Sequence, residues 1–357
     1  MSLTIDPEDT SATVVAAETI DMPWHPTRGS RRSRTVNGSI GRALPVMSSG
    51  FGLRALGLST DGLALTPSPA MIRRARPLVN QAICRLSPVP RGTRVTPVHH
   101  KRGLRGEWVS GRDVGPSGTV IYYLHGSGYA VCSPRTHRGF VSRLSTLTGL
   151  PAFSLDYRLG PEYTFPTAGD DAIAGYQWLL DRGYSANQII VAGDSAGGHL
   201  AIDLIAHNHR TGTPQPRAMT LFSPLSDPTF SLALARQRGG HRDPLIDARL
   251  GAHVLGLYLG DVERNDPRLI PELTADMELP PTLIQAGSLE VMADDARDIH
   301  SRLSAAGGRS DLQIWPDQTH VFQLFPMLAP EAGRATRAAA GFITDQLDAA
   351  RRVTGSH

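Results

Sequence analysis

The chain has a single lysine, Lys101, and only two cysteines, Cys84 and Cys132. No C-x-x-C pair exists, which excludes a zinc knuckle and a redox dithiol. Two buried thiols in a reducing compartment are the expected state, with a single disulfide as the alternative. No apolar run approaches the ~18 residues that a membrane span needs, so no membrane span is expected. The opening stretch, Met1 to Asp9, is acidic and has no apolar core segment. No secretory signal is read there, and the cytoplasm is the expected compartment. Positive charge is almost all arginine, which reads as a composition bias of the genome. The arginines scatter, apart from Arg28, Arg31, Arg32 and Arg34, then Arg73, Arg74 and Arg76. Such short clusters read as solvated surface, and no nucleic-acid partner is expected.

What is present is a long alternation of strand-like and helix-like stretches in 357 residues. That length suits one large α/β domain with appendages. Residues 1 to about 36 lack periodicity and read as a loosely ordered arm or partial cap, and 38–65 carries no clear pattern. Met71, Ile72, Ala75, Leu78, Val79, Ala82 and Ile83 fall at helical spacing, so 67–86 is predicted helical. From Arg94 to Val109 the pattern suits an antiparallel edge pair. Strands are predicted at 119–124, 151–155, 188–192, 218–221, 282–285 and 311–315, with helices between them. Residues 223–270 break the alternation and contain one predicted helix near 247–259. A mostly parallel sheet flanked by helices follows, with its site beyond the C-terminal strand ends.

The most informative stretch is Ile189-Ile190-Val191-Ala192-Gly193-Asp194-Ser195-Ala196-Gly197-Gly198. It is G-x-S-x-G between a strand and a helix. Such a turn holds its serine in a strained, exposed conformation at a helix N-terminus, where a developing oxyanion is favoured. Asp194 is expected to tie the turn down. Upstream, His125-Gly126-Ser127-Gly128-Tyr129 follows a strand directly. Small residues there let backbone N–H groups face a bound carbonyl oxygen.

These two blocks, together with Asp156-Tyr157-Arg158-Leu159-Gly160-Pro161-Glu162, resemble the hormone-sensitive lipase family of α/β-hydrolases, the microbial family IV esterases. The resemblance covers residues 94 to 350. It implies an α/β-hydrolase fold with a mostly parallel sheet and a helical cap. The arm and cap occupy 1–93, and the catalytic domain occupies 94–354 with a cap-contributing insertion at 223–270. Two departures stand out: Ser127 replaces the middle glycine of His-Gly-Gly-Gly, and His199 replaces the asparagine common after the double glycine.

The family order is serine, acid, histidine. Ser195 is then the nucleophile and His320, in a His-x-Phe pattern after the last strand, the base. Glu290 is the acid, with Asp294 as the alternative. The oxyanion hole falls to the N–H groups of Ser127, Gly128 and Ala196, with His125 and Gly126 supporting the loop. Asp156, Arg158 and Glu162 are expected to form a buried ion-pair and turn structure. The implied activity is cleavage of small-molecule or lipid esters of short to medium acyl chain, with no metal or organic cofactor. Amide hydrolysis on the same triad and a non-catalytic ligand receptor are the alternatives. Homodimers are common in the family.

Overall fold

β-Branched and aromatic runs gather into strands, and the stretches between them wind into helices that cover the resulting apolar faces. The computed structural model describes residues 28–48, 67–101 and 103–354. Eight strands make one sheet: β1 (Arg94–His99), β2 (Arg105–Ser110), β3 (Val120–Leu124), β4 (Ala152–Leu155), β5 (Ile189–Asp194), β6 (Ala218–Phe222), β7 (Thr282–Gly287) and β8 (Ser310–Trp315). Their spatial order is β1-β2-β4-β3-β5-β6-β7-β8. β2 pairs antiparallel with both β1 and β4, while the remaining neighbours are parallel. Pro97 sits on β1, at the edge, where a missing N–H removes no bond to a further strand.

The helices are α1 (Arg31–Ser48), α2 (Pro69–Leu86), α3 (Pro134–Thr148), α4 (Thr167–Asp181), α5 (Ala196–Thr211), α6 (Ser231–Arg238), α7 (Ala248–Leu259), α8 (Ala293–Ala305) and α9 (Glu331–Thr354). Alternation along β3 sets the layers. Val120, Tyr122 and Leu124 pack with Ala172 of α4, Leu204 of α5 and Ile299 of α8. Ile121 and Tyr123 pack on the opposite face with Phe140 and Leu144 of α3 and Ile343 of α9. With both faces covered, β3 and β5 are buried along their whole length. The parallel crossovers bring the C-terminal ends of β3, β5, β6, β7 and β8 to one rim, where their loops meet.

Two expectations need correction. The arm expected to be loosely ordered to about residue 36 contains α1, which begins at Arg31. Its anchors are polar and distant in sequence: the Ser30 N–H donates to Glu331 (2.6 Å), and Asn37 Nδ2 donates to the Asp317 carbonyl (2.7 Å). No apolar periodicity announces such a docking. The insertion holds two helices rather than one, because α6 precedes the expected α7. Residues 1–27 of the arm and 49–66 lie outside the described residues.

Among the glycines of the described residues, Gly197 faces the closest backbone approach. A Cβ there would collide with the Leu124 carbonyl oxygen, whereas Gly341, on α9, has open space around it. Gly197→Ala should therefore destabilise the protein by about 1–3 kcal/mol or more. Gly341→Ala should stabilise it by about 0.5–1 kcal/mol, through lost unfolded-state entropy. Denaturant titration of the two variants checks the opposite signs.

Candidate active site

β5 delivers Ser195 to the rim, and α5 starts at the next residue. Ser195 has φ 52° and ψ −121°, a region that non-glycine residues rarely occupy. The turn is held from both sides. The Ser195 N–H donates to the Phe222 carbonyl (3.0 Å), and the Ser195 carbonyl accepts from Gly198 and Leu225 (2.9 Å each).

His320 sits in the loop after β8. Its Nε2 lies 3.0 Å from Ser195 Oγ, and its Nδ1 lies 2.6 Å from Glu290 Oε2. Glu290 is fully buried, in the turn after β7. Its other oxygen accepts from Ser223 Oγ (3.0 Å) and from the Gly287 N–H. Ser223 Oγ also accepts the Val321 N–H (3.0 Å), so one hydroxyl latches the acid turn to the histidine loop. Burial works against an imidazolium at His320. The hydrogen bond and charge of Glu290 outweigh it, and the pKa of His320 lies above its ordinary value. Asp294 does not join this group. Its carboxylate is 37% exposed and pairs with Arg236 (3.2 Å) and Arg297 (2.7 Å).

The loop after β3 completes the rim. Asp194 is buried and accepts from Tyr123 OH (2.6 Å) and the Gly126 N–H (2.8 Å), and it faces His137 Nε2 at 3.3 Å. Burial raises its pKa, but His137 and these donors reverse the effect, and the carboxyl lies below the usual range. One carboxylate thus ties the serine turn to the loop at 125–129.

His125 stacks on Tyr157 at 4.3 Å, and its Nδ1 lies 3.1 Å from the Gly126 carbonyl. Burial and nearby His137 push its pKa down to about 3, so it is neutral. Ser127 Oγ accepts the Tyr129 N–H (2.7 Å) and lies 2.7 Å from Tyr157 OH, which itself donates to the His125 carbonyl. The hydroxyl that replaces a glycine hydrogen is therefore absorbed by the loop's own network. Among the described residues, the N–H groups of Ser127, Gly128 and Ala196 have no protein acceptor.

The second departure is also accounted for. His199 Nδ1 lies 2.7 Å from Tyr129 OH, and its Nε2 lies 2.9 Å from the Leu269 carbonyl. Burial lowers its pKa, so a neutral imidazole links α5 to the insertion. Tyr129 further stacks on Tyr258 of α7 at 4.1 Å.

A cavity of about 420 Å³ opens over Ser195 and His320. Its wall is mostly apolar and includes Ile83 of α2, Phe230, and Leu245, Leu250 and Val254 of the insertion. Gly126, Ser127 and Gly128 line the same space.

The sequence did not point to the insertion's grip on the acid turn. Arg236 reaches the Ser288 carbonyl (3.4 Å), His241 Nε2 the Leu289 carbonyl (2.9 Å), and Asp243 accepts the Val291 N–H (2.9 Å). These contacts bracket Glu290. The expected mutual cluster of Asp156, Arg158 and Glu162 is not formed. They pair separately with Arg105 (3.5 Å), Asp171 (2.6 Å) and Arg76 (2.8 Å), and Arg158 is half exposed. Arginines distant in sequence, or acids on a following helix, outcompete neighbours along the chain.

A family model described as alpha/beta hydrolase fold matches residues 121–324. An acetyl-hydrolase of Streptomyces hygroscopicus is 35% identical over 255 residues, covering 71% of this chain and 83% of that protein. The carboxylesterase/phospholipase LipF of Mycobacterium tuberculosis is 37% identical over 240 residues, covering 64% of this chain and 62% of LipF, so under two thirds of that relative is spanned. The crystal structure of an esterase from the bacterial hormone-sensitive lipase family superposes with a TM-score of 0.74 at 29% identity, covering 89% of this chain and 98% of that one. The chain belongs to the α/β-hydrolase fold family, among the carboxylesterases of the hormone-sensitive lipase type.

Proposed function

We propose that the protein hydrolyses carboxylic esters of short to medium acyl chain through an acyl-enzyme on Ser195. One observation carries this: Ser195 Oγ, His320 and Glu290 form a continuous relay of 3.0 and 2.6 Å at the floor of an apolar cavity. His320 takes the Ser195 proton as Oγ bonds to the ester carbonyl carbon. Negative charge collects on the carbonyl oxygen, facing the N–H groups of Ser127, Gly128 and Ala196. His320 then hands the proton to the departing alkoxide as the ester C–O bond breaks. Water repeats the sequence on the acyl-enzyme, releasing the acid and restoring Ser195. Glu290 holds the imidazole in the useful tautomer and stabilises its cation.

Residues from 1–93 and from the 223–270 insertion act as the cap over this cavity, since Ile83, Leu245 and Leu250 stand in its wall. Both thiols are free, Cys132 buried as expected and Cys84 only half-buried, which supports a reducing compartment such as the cytoplasm. Among the described residues no helix is long and apolar enough to cross a membrane.

Ser195→Ala should lower kcat for a chromogenic short-chain ester by about 10⁴-fold or more. A near-normal rate contradicts the assignment. Glu290→Gln should lower kcat by about 10²–10⁴-fold. It should also shift the pH profile. His320 works as a neutral base, so activity falls as pH drops through its pKa, and Glu290 holds that pKa up. Removing the charge should move the acid limb of kcat/KM to lower pH. A limb that stays in place contradicts the role given to Glu290.

A further inference from the structure

The small net charge of the chain, +3, conceals a strong asymmetry. Residues 22–106 hold 15 of its 36 lysines and arginines but one of its 33 carboxylates, Asp61, a balance of +14 against −11 for the remainder. Within this basic stretch lies α2, which has four arginines and no acidic residue.

Among the described residues, α2 is seated by one face only. Ile72 is buried, and Arg76 grips Glu162 (2.8 Å) and the carbonyls of Ala130 (2.8 Å) and Gly160 (2.7 Å). Asn80 accepts the Cys132 N–H (2.9 Å), and Ile83 lines the cavity. At ~100° per residue, the opposite face is centred on Leu78 and flanked by Met71, Arg74, Ala82 and Arg85. Exposure agrees: Leu78 is 70% exposed, Met71 40% and Leu86 41%. Neither Arg74 nor Arg85 has a carboxylate partner among the described residues. Leu250, which also lines the cavity, is 45% exposed.

We infer that the outer face of α2 docks on an anionic phospholipid surface, with Leu78 and Met71 entering the acyl boundary and Arg74 and Arg85 meeting the headgroups. Arginines beside large aliphatic side chains are the composition of an interfacial helix. A nucleic acid would account for the arginines but not for Leu78, and the face offers no aromatic side chain for a base to stack on. Because Ile83 on the inner face of the same helix lines the cavity, docking would bring a helix of the cavity wall to the lipid surface. The surface lies outside the triad, so its test is separate from that of the ester chemistry.

The test is flotation of the full chain with phosphatidylcholine vesicles, with and without phosphatidylglycerol, at low and high salt. Wild type and Ser195→Ala should float alike with the anionic vesicles, lose binding as salt rises, and ignore pure phosphatidylcholine. Leu78→Asp, and separately Arg74→Glu with Arg85→Glu, should lower the bound fraction by about ten-fold or more. Both variants should keep the wild-type rate on a water-soluble ester and the wild-type melting curve. No flotation, equal flotation on neutral vesicles, or variants that float like wild type overturns the inference. So does a Leu78→Asp protein that fails to melt normally, if the arginine variant still binds lipid. If the same substitutions instead break a dimer or weaken oligonucleotide binding while no vesicle is bound, the face belongs to that partner.

Discussion

Much of this site depends on one buried carboxylate. Asp194 lies between the serine turn and the loop after β3, and it satisfies a phenol, a backbone N–H and an imidazole at once. A buried charge is tolerable only when its lone pairs are filled, and here filling them fixes the spacing of two loops. The positive φ of Ser195 is a strained conformation that needs such a frame. The frame also holds the loop at 125–129 beside the serine turn, with Ser127, Gly128 and Ser195 lining one cavity, as the proposed oxyanion site requires.

Ser223 plays the corresponding part on the other side. Its hydroxyl joins the turn that carries Glu290 to the loop that carries His320. The protonation states are divided by surroundings. His125 and His199 are kept neutral by burial and work as struts, while His320, beside Glu290, favours its charged form more than an ordinary histidine does. On the proposed mechanism, that division leaves one imidazole to change charge during a turnover while its neighbours hold still. The insertion adds a third support, since the residues that wall the cavity continue directly into those that grip the Glu290 turn.

The parts of this arrangement written in short, contiguous stretches were legible in the sequence. Gly193 to Gly198 and His125 to Tyr129 carry their geometry locally, and the central strands β3 and β5 announce themselves by unbroken apolar runs. Glu290 and His320 followed from chain order in a resembled family, and the structure brings both to Ser195. Ser223 was not legible, because a serine after a strand has no signature until its partners, 67 and 98 residues away, are in place. The same holds for Asp243 and His241, and for α1, whose hold on Asp317 and Glu331 spans about 300 residues of chain. Tyr157 could be read as part of a block, but its hydroxyl, which explains how Ser127 is tolerated, could not.

Covalent trapping tests the central claim most directly. The full chain would be treated with a fluorophosphonate, weighed intact by mass spectrometry, and mapped by peptide. The expected result is a single phosphonyl adduct, on Ser195, which fails to form when His320 is replaced by alanine. An unlabelled wild-type protein, or an adduct at any other residue with Ser195 untouched, would contradict it.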